Sequence, residues 1–263
     1  MNHQWRRFQP SFVALKCLNN SQNITFDFIN EITIHNYLIE EDNIQIVRCY
    51  GITQEPISKN YVIVMNCAEY RSLRNYLSIH LDYEKFWSNK IHHLKEIANG
   101  LENIHEKNFI HRDLHIGNVV KFITYTAITD MGLCKPADYK ENKSTKNSVY
   151  GVLPYTAPEI LRGQHYTQSS DIYSFGMIMY EVVSGFPPYY DTAHDESLAL
   201  NICQGLRPRF HIKVPQLILH LNKRCLDADP LNRPKASEIR EILTQWERQK
   251  SLQINSFQLK TNE

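Results

Sequence analysis

The sequence predicts an α+β protein of two unequal lobes, a small strand-rich lobe followed by a larger helical one. Three observations carry this. Apolar and β-branched runs cluster before residue 66, helical periodicity dominates after residue 73, and the change falls across a short polar stretch at 66–71. Two lobes joined by a short linker enclose a cleft, the usual place for a small ligand.

In the first lobe, residues 11–18 (SFVALKCL), 44–52 and 61–65 (YVIVM) are apolar enough for strands. Between the first two, Phe28, Ile29, Ile32 and Leu38 fall at helical spacings over 25–38, with Thr25 as N-cap and Asp27 in the first turn. Longer helices follow at 73–80 and 83–107, the second with Ile91, Leu94, Ile97, Ala98, Leu101 and Ile104 on one stripe. Short strands at 119–123 and 127–129 lie close enough for a hairpin, and the polar, aperiodic stretch 136–148 reads as a mobile loop. Helical signals resume at 158–161, 171–184, 196–204, 215–226 and 235–249, and residues 251–263 read as a polar, frayed tail. The resulting division is one domain over 1–250, with a partial first lobe at 1–66 and a second at 67–250.

Composition closes off other classes. The 263 residues carry 29 Lys+Arg against 28 Asp+Glu, a net charge of +1, which argues against a dedicated nucleic-acid or anionic-membrane binder. No stretch approaches the roughly 18 apolar residues of a membrane span, and the polar start lacks the apolar core of a secretory signal. The six cysteines show no C-x-x-C and no compact Cys/His set, so they read as free thiols of a reducing compartment, cytosolic or nuclear. The adjacent pair His92 and His93 diverges on a helix, which disfavours zinc.

The chemistry-bearing pieces come in a fixed order. Val13-Ala14-Leu15-Lys16 precedes Glu31 by fifteen residues; His111-Arg112-Asp113-Leu114-His115-Ile116-Gly117-Asn118 contains H-R-D-L-x-x-x-N; Asp130-Met131-Gly132 and Ala157-Pro158-Glu159 follow. Alone, V-A-L-K reads as a core strand with a surface lysine and D-M-G as a turn; together they reverse those readings. From about Phe12 to Trp246 the chain resembles the eukaryotic protein kinases, and it looks most like their tyrosine-kinase-like group, whose members mostly phosphorylate Ser/Thr.

The resemblance implies a protein-kinase-like fold, ATP and Mg²⁺ as cofactors, and protein substrates. Asp113 would be the base for the acceptor hydroxyl, and Asn118 and Asp130 the magnesium ligands. Lys16 would neutralise the α- and β-phosphates, held by an ion pair with Glu31. Met65 would back the adenine pocket, Asn66 to Ala68 would form the hinge, and Ala14 and Val120 would sandwich the ring. Asp171 would anchor the catalytic loop, Arg233 would pair with Glu159, and Ser144, Thr145, Ser148 and Tyr150 would be regulatory phosphosites.

Departures from the pattern sharpen the expectation. Fifteen residues precede Lys16 and none is glycine, so the family's first strand and glycine loop are expected to be missing, with residues 4–8 a remnant of the second strand and a sheet of three or four strands. Losing two or three charge-assisted phosphate contacts at ~1.5–3 kcal/mol each would weaken nucleotide binding by roughly 3–9 kcal/mol. His115 replaces a common lysine, Val152 a common threonine, Met131 the usual Phe, and Arg71 a common glycine. The expected activity is transfer of the ATP γ-phosphoryl group to Ser/Thr hydroxyls; the alternative is a binding module that keeps the scaffold without turnover.

Overall fold

A computed structural model describes residues 11–19, 21–22, 26–39, 44–79, 86–139 and 151–260, apart from the side chains of residues 26–28, 30, 31, 86 and 250–260. Thr25, residues 4–8 and the four loop phosphosite candidates lie outside the described residues, as does the side chain of Glu31.

The first lobe contains β1 (Val13–Cys17), α1 (Phe26–Leu38), β2 (Cys49–Gln54) and β3 (Tyr61–Asn66), with an antiparallel sheet in the order β1-β3-β2. Strand alternation exposes Val13, Leu15 and Cys17 and turns Ala14 and Lys16 inward, with Ala14 opposite Met65 and Lys16 opposite Ile63. The strand predicted to begin at 44 starts instead at Cys49. Residues 45–47 pair with the other lobe, where Ile128 N–H donates to Gln45 O (2.8 Å) and Val47 N–H to Ile128 O (2.9 Å). A long-range pairing overrides local strand preference there.

The second lobe begins with α2 (Leu73–Ile79) and α3 (Phe86–Glu106). It continues through β4 (Phe109–Ile110), β5 (Val119–Lys121), β6 (Thr126–Ile128) and β7 (Lys135–Pro136), and ends with α4 (Pro158–Leu161), α5 (Gln168–Ser184), α6 (Glu196–Cys203), α7 (Gln216–Cys225) and α8 (Ala236–Lys260). β5 and β6 form the expected hairpin; β4 pairs with β7, two-residue strands too short to leave a periodic signal. The stripe predicted on α3 is fully buried, together with Phe175, Ile178 and Val182 of α5. α5 begins three residues before the predicted start because Thr167 caps it, exchanging hydrogen bonds with Ser170 in a capping box. The frayed tail expected after 249 is helical to Lys260, since neither Gly nor Pro interrupts that stretch.

Two glycines let elements approach. A Cβ on Gly100 of α3 would lie 2.8 Å from Gln45 O, at the contact between lobes, and one on Gly176 of α5 would lie 2.7 Å from Leu226 Cδ2 beyond α7. Among the described residues no helix is long and apolar enough to cross a membrane.

Candidate active site

The loop between β4 and β5 is built around a buried carboxylate. Asp171, in the first turn of α5, accepts from the backbone N–H groups of His111 (2.8 Å) and Arg112 (3.0 Å) and lies 3.0 Å from His105 Nε2. These bonds hold Arg112 at φ 70°, a left-handed conformation uncommon for a side-chain-bearing residue, and its guanidinium stacks over Tyr166 at 4.5 Å. The chain direction that follows delivers Asp113 to the cleft.

Three further bonds lock Asp113, Asn118 and Asp130 into one cluster. Asn118 Nδ2 donates to Asp113 O (3.0 Å) and Asp113 Oδ2 (3.3 Å), while Thr129 N–H donates to Asn118 O (2.9 Å), setting the next residue, Asp130, beside Asn118. His111 spans the loop: its Nδ1 accepts from Asp113 N–H (3.3 Å), which leaves Nε2 to donate to Thr129 O (3.2 Å). Asp130 is itself at φ 63°. From the other lobe, Lys16 Nζ reaches Asp130 Oδ1 at 2.7 Å.

Asp113 Oδ1 is buried without a hydrogen-bond partner. The closest cationic candidate is His115, whose Nε2 lies 3.9 Å away while its Nδ1 accepts from Gly117 N–H (3.0 Å). A Cβ on Gly151, at φ 97°, would stand 3.3 Å from the same oxygen, so any other residue there would crowd the carboxylate. Nothing in the motifs singles out Gly151; its one signal in the sequence is a lone glycine closing a long polar loop. Val152 offers no side-chain hydroxyl, and its carbonyl accepts from Thr156 Oγ1 (3.2 Å).

Burial pushes the Asp113 carboxyl above its ordinary range, with His115 and His111 pulling it back. Burial lowers His115, opposed by Asp113, so its neutral form is favoured. For Asp130, burial acts upward, but the Lys16 hydrogen bond and charge prevail and hold it below the usual carboxylate range.

The oxygen set suits a hard cation. Asn118 commits its amide nitrogen to Asp113, leaving Oδ1, and no hydrogen bond among the described residues engages Asp130 Oδ2. Above the cluster, Met65, Ala68 and Val120 pack on an apolar group formed by Val47, Phe122 and Ala127, with Ala14 opposite Met65 across the sheet. The linker is only partly available to a ligand. Asn66 N–H is engaged by Arg48 O (2.9 Å) and Ala68 O by Arg71 N–H (3.1 Å), whereas the Ala68 N–H has no partner among the described residues. Arg71 takes φ 58°, the conformation a glycine would adopt without strain. Met131 is fully buried.

The floor is braced by two charged groups. Arg233 Nη1 and Nη2 clasp Glu159 at 2.7 and 2.8 Å, both side chains buried. Arg74 Nε donates to Glu181 Oε1 (2.7 Å) and its Nη2 to Tyr155 Oη (2.9 Å), and the Tyr155 hydroxyl donates to Glu181. Nothing in the sequence marked this second network.

Comparison with known proteins agrees with this geometry. The family model described as protein tyrosine and serine/threonine kinase matches residues 3–243. A probable LIM domain-containing serine/threonine-protein kinase of Dictyostelium discoideum is 29% identical over 238 residues, 88% of this chain and 24% of that protein. The serine/threonine-protein kinase Wnk of Drosophila melanogaster is 32% identical over 209 residues, 74% of this chain and 8% of that protein. The serine/threonine-protein kinase sgk-1 of Caenorhabditis elegans is 37% identical over 139 residues, 52% of this chain and 30% of that protein. The chain thus spans a third or less of each of these relatives. With a family model matching nearly its whole length, and the residues that frame its cleft lying inside that match, the chain belongs to the protein tyrosine and serine/threonine kinase family.

Proposed function

We propose that this chain transfers the γ-phosphoryl group of ATP to Ser/Thr hydroxyls of protein substrates. The observation that carries the reading is the buried, unpartnered Oδ1 of Asp113, fixed beside Asn118, Asp130 and Lys16. A carboxylate oxygen without a donor can accept the proton of an incoming hydroxyl, and its position next to a fixed acidic and amide pair suits phosphoryl transfer, which depends on positioning and charge. Asn118 and Asp130 would hold Mg²⁺, whose charge would offset that of the phosphates. Lys16 would move from Asp130 toward the α- and β-phosphates, with Glu31 of α1 as its brace. His115 would offer Nε2–H to the transferred group. Ala14, Met65 and Val120 would enclose the adenine, and Ala68 N–H would bond it, with Asn66 bordering the pocket.

The finer placement follows from the same residues. G-V-L-P-Y-T-A-P-E at 151–159 looks more like the Ser/Thr type than the tyrosine type, and the overall pattern favours the tyrosine-kinase-like group. Free thiols at all six cysteines suit a cytosolic or nuclear setting. The four retained groups Lys16, Asp113, Asn118 and Asp130 weigh against a binding module without turnover.

The test is phosphotransfer from labelled ATP with Mg²⁺ to a mixed protein substrate. The Asp113→Asn chain is expected to lose about 10²–10⁴-fold in rate, with label on Ser and Thr. Label that persists at the unmutated rate in the variant would sink the proposal.

A further inference from the structure

Far from the cleft, a cavity of about 830 Å³ opens between the segment linking α6 to α7 and the face of α7 itself. Its walls carry four basic side chains, Arg207, Arg209, Lys213 and Lys223, and no carboxylate. Its floor is apolar, with Phe210, Leu219 and Leu226. Arg207 is committed to the fold, donating to the carbonyls of Leu226, Ile202 and Leu206. Arg209, Lys213 and Lys223 are exposed at the rim.

The linking segment has a pattern of its own. From 206 to 214 the even positions are Leu206, Pro208, Phe210, Ile212 and Val214, and the odd positions are Arg207, Arg209, His211 and Lys213. Period-two alternation is the pattern of an extended strand, yet this segment belongs to no sheet. Among the described residues, no backbone hydrogen bond engages the N–H or C=O groups of 207–214. A run of unpaired backbone groups beside an apolar floor is a template for an added strand. Asn222 supplies a further polar group: it is 3% exposed, gives its amide nitrogen to Gly176 O (2.7 Å) and lines the cavity.

We propose that this groove binds an extended protein segment in which acidic residues alternate with apolar ones. The partner's backbone would pair with 209–214, beyond Pro208, its carboxylates would meet Arg209, Lys213 and Lys223, and its apolar side chains would enter over Phe210 and Leu219. Charge complementarity selects an anionic partner, and the unpaired backbone selects a peptide over a long-chain carboxylate. The groove shares no residue with the catalytic cluster, so the site stands whether or not the proposed activity does.

The test uses a fluorescein-labelled decapeptide alternating Glu with Val, Leu and Phe, alongside an isomer of the same composition with its glutamates in one block. Fluorescence polarisation is measured on the whole chain and on the variant Arg209→Glu/Lys213→Glu/Lys223→Glu, whose changes are all at exposed positions and whose fold is checked by thermal melting. The alternating peptide is expected to bind about tenfold more tightly than the block isomer, to weaken at least about tenfold in the variant, and to slow amide hydrogen exchange across 209–214. No binding up to about 1 mM, equal binding of the isomer, or binding untouched by charge reversal would overturn the proposal. So would displacement of the peptide by oleate without any slowing of exchange, which would assign the groove to a long-chain carboxylate.

Discussion

The two lobes hold themselves together by different means. In the second lobe, α3 and α5 each present a stripe of side chains with no exposed surface, and charged pairs such as Arg233 with Glu159 are sealed inside. In the first, a three-stranded sheet leaves Leu15 60%, Tyr50 54% and Ile52 44% exposed. The candidate site draws on both, but unequally: Asp113, Asn118 and Asp130 are set by bonds within the second lobe, and Lys16 reaches Asp130 from β1. Such an arrangement places the acidic and amide groups on the well-packed side and leaves the less buried side to supply the cation.

The largest effect that would sharpen this contrast is at the sealed pair. Arg233→Ala leaves the Glu159 carboxylate buried and uncompensated, and an unfolding titration in urea should show a loss of about 3–5 kcal/mol. A loss below about 1 kcal/mol would mean that water enters the second lobe and that its core is not the sealed unit described.

Next comes an acid-sensitive core position. Burial lowers His93 on α3 to about 3, and its Nε2 has no partner. The unfolded chain, with an ordinary histidine near 6.5, binds more protons between those values, so this contribution is full above about pH 6.5 and is lost as pH falls toward 3. The expected size is on the order of 5 kcal/mol across the whole window and about 3 kcal/mol between pH 7 and pH 4.5. His93→Gln should flatten it, which parallel urea titrations at pH 7 and pH 4.5 would read.

Gly151 tests whether activity and stability part company at the seam. Gly151→Ala puts a Cβ at φ 97° beside Asp113 Oδ1, with an expected stability cost of about 1–2 kcal/mol. Phosphotransfer should fall at least about tenfold, with kcat carrying the loss, because the added methyl presses on the proposed base, Asp113, and shifts its carboxylate. An unchanged kcat would mean that the Asp113 carboxylate accommodates the methyl without loss.

How far these features were legible in the sequence follows from the range of the interactions. The α3 stripe and the β5–β6 hairpin were readable because period and turn are local signals. So was the convergence of Asn118 and Asp130, which flank that hairpin. The early start assigned to β2 failed because Gln45 and Val47 pair with Ile128, a partner more than eighty residues away. Arg74 with Glu181 was invisible for the same reason, since residues 107 positions apart leave no pattern in a single chain. The groove beside α7 is an intermediate case: its alternation is plain in the sequence, but only the fold shows that no strand pairs with it.

The smallest predicted effect probes the sheet. Leu15 on β1 lies opposite Val64, yet more than half of its surface is exposed, so Leu15→Thr removes apolar area already in water while keeping a residue suited to a strand. The expected change in urea stability is within about 0.5 kcal/mol, against about 2–5 kcal/mol for Ile97→Ala on α3, where the side chain is fully buried. If Leu15→Thr instead costs more than about 1.5 kcal/mol, the outer face of β1 is covered in solution. The contrast between lobes would then belong to exposure in the isolated sheet rather than to the working protein. That result would turn attention to what packs on the outer face of β1, the strand that carries Lys16.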